Sequence, residues 1–148
     1  MFEAVANTTK KKLWKHQRDA LDFAIGHLTK RDSSCLIRMP TGTGKTGVIA
    51  CLTRLSNQDS SLVLTPWAHL RNQMVTDLTK AFWEKIALKP QERAVVSMFP
   101  SGAKKILEST KSQVIVATFA TLNDLRLNHK DTYDKLADNS RSERRVKR

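Results

Sequence analysis

The nine residues from Met39 to Gly47 read MPTGTGKTG and place three glycines, three threonines and one lysine between two apolar runs. A triphosphate carries several negative charges, which a loop of inward-pointing backbone N–H groups at a helix start can meet. Gly42 and Gly44 would permit the backbone conformation and close approach that such a loop needs. The ammonium of Lys45 would lie between the β- and γ-phosphates, and the Thr46 hydroxyl would bind the bridging Mg²⁺.

We therefore predict that this stretch binds ATP and Mg²⁺, with Lys45 and Thr46 as its catalytic residues and Thr46 as the metal ligand. The predicted nucleotide-binding residues of the stretch are Thr41, Gly42, Thr43, Gly44, Lys45, Thr46 and Gly47.

Strand-like and helix-like segments alternate around this stretch. Short apolar runs predict strands at Cys35–Met39, Leu62–Thr65, Ala94–Met98 and Val114–Ala117. Helical spacing of apolar residues predicts helices over Trp14–Leu28, Lys45–Leu55, Leu70–Phe82, Ser101–Leu107 and Ala120–Leu127. Strands that are apolar on both faces and alternate with helices are typical of a parallel sheet covered by helices on both faces. The predicted fold class is α/β.

The composition favours a polyanionic partner. The chain has 148 residues, with 26 Lys and Arg against 14 Asp and Glu, and a net charge of +12. Nucleic acid is the first candidate, although scattered lysines also serve solubility alone. No run of 18 apolar residues or signal-like N-terminus is present, so we expect a cytoplasmic protein with no membrane contact. Cys35 and Cys51 are expected to be reduced and buried, and the scattered histidines argue against zinc.

The two ends differ from the middle of the chain. Residues 1–12 are polar, end in three lysines and predict a flexible basic arm. Residues 139–148, NSRSERRVKR, carry five basic residues and one apolar residue, so we expect a basic disordered tail. The tail charges could contact phosphates, but a terminal charge run is more often only solvated. Residues 13–138 would form the folded domain.

Met39–Thr46 resembles motif I of superfamily-2 helicases and translocases, in the form found in restriction enzymes and DEAD/DEAH-box-like relatives. Met39 departs from the general phosphate-loop pattern, which has glycine there. Upstream, Leu13–Gln17 resembles the L-R-x-Y-Q segment of that family, and the resemblance implies that Gln17 recognises adenine. Gln17 also lies on the apolar side of its helix, where an amide needs a partner. Trp14 replaces the family arginine and could stack on the base or pack internally; packing is favoured.

Two further segments resemble family motifs that contact the nucleic-acid backbone. Residues 65–73, TPWAHLRNQ, resemble motif Ia, and residues 118–122, TFATL, resemble motif Ib. The predicted nucleic-acid contacts are Pro66, Trp67, Arg71, Gln73, Thr118 and Thr121. Thr118 and Thr121 could equally be helix-capping residues. Together the four motifs imply the first RecA-like, P-loop NTPase domain of a nucleic-acid-dependent ATPase, with DNA favoured over RNA.

One family element has no counterpart in these 148 residues. The family places an aspartate–glutamate pair after motif Ib to hold the metal and orient the attacking water, and the chain contains no such pair. We therefore expect an incomplete domain, truncated before that motif, that binds ATP without hydrolysing it alone. It would need the missing C-terminal helicase domain or a partner subunit, and could self-associate through an exposed sheet edge.

Two other functions fit part of the pattern. The chain could be a catalytically inactive, basic nucleic-acid-binding module that retains a vestigial phosphate loop. A P-loop small-molecule kinase would explain the loop but would leave Gln17 and the Pro66–Gln73 segment without a role. Whether the chain by itself is an enzyme stays open.

Overall fold

The computed structural model describes residues 9, 11–28, 34–55, 60–90, 93, 95–98, 113–131 and 133–134. The helix predicted over Ser101–Leu107, the tail 139–148 and the first eight residues of the arm lie outside these ranges. Among the described residues, no helix combines the length and apolar character needed to cross a membrane.

The described residues form two compact units. The first unit lies within Met1–Gln58 and Thr76–Ala94, and the second lies within Asp59–Val75 and Val95–Arg148. In chain order the elements are α1 (Lys15–Leu28), α2 (Lys45–Leu55), β1 (Ser60–Thr65), α3 (Ala68–Thr76), a π-helical turn (Asp77–Ala81), α4 (Phe82–Lys85), β2 (Val95–Met98), β3 (Gln113–Thr118) and α5 (Phe119–Asn128). The chain passes from one unit to the other after Gln58, after Val75 near the end of α3, and after Ala94.

The second unit contains a parallel three-stranded sheet in the order β1-β3-β2. The middle strand β3 is buried from Val114 to Ala117, on both of its faces, because successive side chains of a strand point to opposite sides. On one face Ile115 and Ala117 form a cluster with Leu125 of α5, against which Leu64 also packs. The parallel α/β arrangement predicted from these apolar runs is confirmed for this unit.

The first unit is helical in its described part. Leu13, Leu21 and Cys51 form its buried cluster, with Phe82 packed against them, so α1, α2 and the start of α4 share one core. The helical spacing that predicted α1 and α2 is confirmed, and α2 has the predicted bounds. Burial raises the pKa of the Cys51 thiol to about 12, since the apolar surroundings disfavour its thiolate form.

The helix predicted along Leu70–Phe82 is interrupted. A π-helical turn over Asp77–Ala81 separates α3 from α4, and one residue is thereby added to the helical repeat. Leu78, within this turn, is fully buried and its carbonyl accepts a hydrogen bond from the indole N–H of Trp83, which is also buried. A buried indole N–H needs such a partner, and the widened turn supplies the carbonyl. Simple four-residue spacing does not predict this change.

Two sequence-based expectations in the first unit are wrong. Cys35–Met39 forms no strand, and residues 34–40 adopt neither helix nor strand; Leu36 is 91% exposed and Cys35 is exposed rather than buried. Strand formation requires a neighbouring strand to supply hydrogen bonds, which an apolar run cannot guarantee. At the end of the predicted arm, Thr9 is buried and the Lys12 ammonium donates a hydrogen bond to the Ile86 carbonyl.

The two cysteines should differ sharply in reactivity. At pH 8 a thiol with a pKa near 12 is ionised in about one molecule in ten thousand, and Cys51 is also buried. We expect a disulfide reagent to label one thiol per native chain, at exposed Cys35, and two thiols after denaturation. The Cys35→Ser variant serves as the control and should show no fast labelling. Rapid labelling of Cys51 in the native Cys35→Ser protein would contradict the packed core.

Helix α4 ends in a Schellman arrangement with an unusual residue. The N–H of Leu88 donates to the Trp83 carbonyl at 2.9 Å and that of Ala87 donates to the Glu84 carbonyl at 3.0 Å. Ala87 has a φ of 52°, in the left-handed region that usually holds glycine at this position. An alanine Cβ costs about 1–2 kcal/mol there.

We expect Ala87→Gly to raise the free energy of unfolding by about 0.5–1 kcal/mol, because relief of strain exceeds the added flexibility of the unfolded chain. Denaturant titration measures the change. A matched control is Ala81→Gly, inside the π-helical turn, which should destabilise the chain. An Ala87→Gly variant that is less stable than the parent chain would refute the strain.

Candidate nucleotide site and nucleic-acid interface

The glycine-rich loop has the backbone conformation expected of an anion-binding nest. Gly42 and Gly44 have φ values of +82° and +73°, and helix α2 begins at the next residue, Lys45. Within the described part of the chain, the backbone N–H groups of Gly44, Lys45 and Thr46 donate no hydrogen bond, whereas the N–H of Gly47 donates to the Gly44 carbonyl at 2.9 Å. Three successive donors at a helix start are thus available to an anion.

Lys45 is held against the start of the loop. Its ammonium nitrogen lies 3.1 Å from the Met39 carbonyl oxygen and 2.9 Å from that of Pro40. A lysine ammonium has three N–H donors, so one remains for a further acceptor. The Thr43 hydroxyl donates to the same Pro40 carbonyl at 2.7 Å. These bonds tie the start of the loop to Thr43 and Lys45 and hold the ammonium at the Met39 and Pro40 carbonyls.

Gln17 joins helix α1 to the loop through both ends of its side-chain amide. The Oε1 atom accepts from the backbone N–H of Trp14 at 3.0 Å, as in the glutamine half of a capping box. The Nε2 atom donates to the carbonyls of Gly44 at 3.1 Å and Thr43 at 3.4 Å. Glutamate could not replace it, because these carbonyls require a donor. Only 7% of Gln17 is exposed, and the partner it needs is the loop itself.

Two neighbours of Gln17 also lie at the loop. The Nε2 atom of His16 is 3.0 Å from the Thr43 carbonyl oxygen, and the His16 ring contacts Trp14 with centroids 5.5 Å apart. Trp14 is 60% exposed, so the favoured expectation that it packs internally is wrong. Trp14 directly precedes α1, and its indole lies outside the buried core.

Gly47 is the point where the loop helix packs most closely on the rest of the first unit. A Cβ at this position would lie 2.7 Å from Cε2 of Phe82. Only glycine allows this approach, since real Cβ atoms essentially never come within 3.0 Å of a neighbour. Phe82 thereby supports the first turn of α2, and this contact links the loop to the buried cluster of the unit.

The second unit brings the two predicted nucleic-acid motifs together. Thr65 and Thr118 are register partners at the carboxyl ends of neighbouring parallel strands, so the segments that follow them start at one edge of the sheet. The Thr65 hydroxyl lies 3.3 Å from the Trp67 carbonyl oxygen and 3.4 Å from that of Ala117. A hydroxyl has one hydrogen to donate, so the Thr65 hydrogen is shared between the carbonyl of Trp67, just after β1, and that of Ala117 in the neighbouring strand β3.

The predicted contact residues are positioned differently at this edge. Thr118 is the N-cap of α5: its hydroxyl accepts from the Thr121 N–H at 3.1 Å and lies 2.9 Å from the Thr121 hydroxyl. The capping alternative is therefore realised for Thr118, which is buried. Pro66, Trp67 and Gln73 are exposed, and Arg71 is partly buried. Contact of these residues with nucleic acid remains a prediction.

Sequence reasoning missed three residues at these sites. His16 adjoins Gln17 in the sequence, and Phe82 belongs to the spacing that predicted a helix, but neither pattern indicates a contact with the loop. Phe119 follows the Thr118 cap and is exposed, which its apolar character did not suggest. No cluster of three or more His, Cys, Asp or Glu side chains suited to a metal occurs within the described ranges.

A parallel sheet and a glycine-rich loop that opens a helix are parts of the P-loop nucleotide-binding class of proteins. The family described as type III restriction enzyme, res subunit matches residues 10–143, and the chain belongs to this family. Membership indicates a helicase-related, ATP-binding domain with a RecA-like P-loop fold, and it suggests an interaction with nucleic acid. No curated protein and no solved structure matches the chain.

The loop glycines should respond unequally to substitution. In Gly44→Ala the Cβ would lie 2.3 Å from Nε2 of Gln17, which would disturb the hydrogen bonds from Gln17 to the loop. The backbone would also be strained, because φ would stay positive. In Gly42→Ala φ would also stay positive, but no neighbouring atom lies within 4 Å of the added Cβ. We expect Gly42→Ala to cost about 1 kcal/mol and Gly44→Ala clearly more, measured by denaturant titration.

Gly26→Ala provides the matched control for these variants. Gly26 lies inside α1 with nothing within 4 Å of an added Cβ and no positive φ, so alanine should stabilise the helix by up to about 1 kcal/mol. Equal stability of Gly42→Ala and Gly44→Ala would show that Gln17 does not constrain the loop.

Proposed function

We propose that this chain is the ATP- and Mg²⁺-binding first domain of a nucleic-acid helicase or translocase, and that its second unit contacts nucleic acid, with DNA as the favoured substrate. The observation that carries the proposal is the loop, where three successive N–H donors and the Lys45 ammonium lie at the start of α2. Family membership supports a helicase-related, ATP-binding domain.

The residues of the loop fit the terminal phosphates of a nucleotide. A chain of phosphate oxygens needs donors without intervening side chains, and the left-handed glycines provide the required open backbone. Lys45 would exchange a loop carbonyl for a phosphate oxygen, since a charged acceptor makes the stronger hydrogen bond. Thr46, the second residue of α2, would hold Mg²⁺, which would neutralise phosphate charge.

Recognition of adenine by Gln17 would compete with hydrogen bonds that its side chain already makes within the protein. Its amide is already bonded to the Thr43 and Gly44 carbonyls and to the Trp14 N–H. Contact with the base would have to replace or share one of these bonds. We therefore propose that Gln17 primarily positions the loop, and that contact with adenine comes second. Nucleotide selectivity measured with ATP against GTP would be lost in Gln17→Ala if the base contact dominates.

The net charge of +12 also fits the second candidate, a basic nucleic-acid-binding module that retains the loop without using it. Nucleotide titration separates the two functions. If nucleic acid binds and no nucleotide binds at millimolar concentration, the module interpretation is correct and the proposed motor domain is wrong.

Lys45→Ala should weaken ATP–Mg²⁺ binding by about tenfold or more, because it removes a charge-assisted hydrogen bond to phosphate. Thr46→Ala should remove most of the dependence of affinity on Mg²⁺. Isothermal titration of the purified chain with ATP, with and without Mg²⁺, measures both effects.

Lys85→Ala removes an exposed lysine of α4 outside the loop and is the matched control. Its affinity should equal that of the parent chain. If Lys45→Ala also binds ATP as tightly as the parent chain does, the loop is not the nucleotide site.

A further inference from the structure

Two large aromatic side chains are left in solvent at one edge of the parallel sheet. Trp67 is 64% exposed and Phe119 is 57% exposed, whereas residues 114–117 of the adjoining strand are all buried. Each ring follows directly on the register pair Thr65 and Thr118, two residues beyond one strand end and one residue beyond the other. Burial of a ring of this size would contribute strongly to stability, and an exposed ring makes no such contribution. Their placement at a common edge therefore needs an explanation.

The backbone that carries these rings is fixed. The Thr65 hydroxyl reaches both the Trp67 carbonyl and the neighbouring strand, and Thr118 caps the helix that begins with Phe119. The hydrogen bonds hold the start of each segment on the sheet, so the rings project from an ordered edge. Stacking on a ligand would then cost little ordering of the protein.

The charge at this edge suits a polyanion. Neither α3 nor α5 has an acidic residue in its first turn, so both helix starts present their positive dipole ends without a compensating carboxylate. Arg71 lies on α3, one turn after Trp67, and the chain as a whole carries a net charge of +12. A partner that matches this edge has both aromatic faces and negative charge.

We propose that Trp67 and Phe119 stack on the bases of single-stranded nucleic acid. The inference rests on the proposed nucleic-acid function and specifies its substrate, because bases in a duplex are stacked on each other and do not expose their faces to a protein ring. Stacking tolerates any base, since every base has a π-face. The two rings would therefore confer a preference for unpaired strands without reading their sequence.

The test compares two labelled oligonucleotides of equal length and phosphate number, an oligothymidine and a strand of abasic sugar units, by fluorescence anisotropy with the full chain. The parent chain should bind the oligothymidine more tightly. Trp67→Ala and Phe119→Ala should each weaken oligothymidine binding by about five- to 150-fold and leave abasic binding unchanged. Oligothymidine should also quench tryptophan fluorescence in the parent chain and less so in Trp67→Ala.

Phe23→Ala is the matched control, since Phe23 is an exposed ring on α1 that is 49% accessible. It should bind both strands as the parent chain does. Thermal melting of each variant verifies folding, which loss of an exposed ring should not disturb.

The outcomes separate the stacking proposal from the function on which it rests. Failure of the parent chain to bind either strand would overturn both. Equal binding of the two strands, or an equal loss of both in the ring variants, would overturn stacking and leave nucleic-acid binding intact. Concentration-dependent self-association that disappears in Trp67→Ala would show that a second copy covers the rings, and would also overturn the proposal.

Discussion

The candidate nucleotide site depends on one constraint: the carbonyls of the glycine-rich loop must be satisfied by the protein while its N–H groups are left for a ligand. Gln17 meets much of this demand, because its amide donates to Gly44 and Thr43 while accepting from the start of α1. His16 lies within hydrogen-bond distance of the same Thr43 carbonyl, and Lys45 donates to the carbonyls of Met39 and Pro40. A loop that bonded its own N–H groups internally could not offer them to an anion.

Close packing holds this arrangement in place. Gly47 allows Phe82 to approach the first turn of α2, and Phe82 belongs to the same cluster as Leu21 and Cys51. The start of the loop helix is thus tied to the interior of the first unit, where a change in side-chain volume displaces neighbours. The site is formed by two helices and a loop, and its described contacts do not require the sheet.

In the second unit the candidate binding surface is positioned by the sheet topology. Its neighbouring parallel strands finish together, so segments far apart in sequence start at one sheet edge. Ligands of open parallel sheets commonly bind outside the carboxyl ends of the strands. The exposed rings of Trp67 and Phe119 lie at such an edge, held by threonine hydroxyls that bond to backbone. Charge and aromatic surface therefore coincide where the topology allows a ligand to approach.

The sequence alone predicted α1, α2, the three sheet strands and the loop, because helical spacing, β-branched runs and glycine–lysine motifs are local properties. It could not predict that Cys35–Met39 forms no strand, that Trp14 is exposed or that a π-helical turn interrupts the helix, since each depends on which other segment lies beside it. For Gln17 it indicated a buried amide in need of a partner, and only the tertiary structure decided that this partner is the loop. Local chemistry fixes which groups a segment carries, whereas burial and hydrogen bonding between distant segments decide which of those groups remain free to bind.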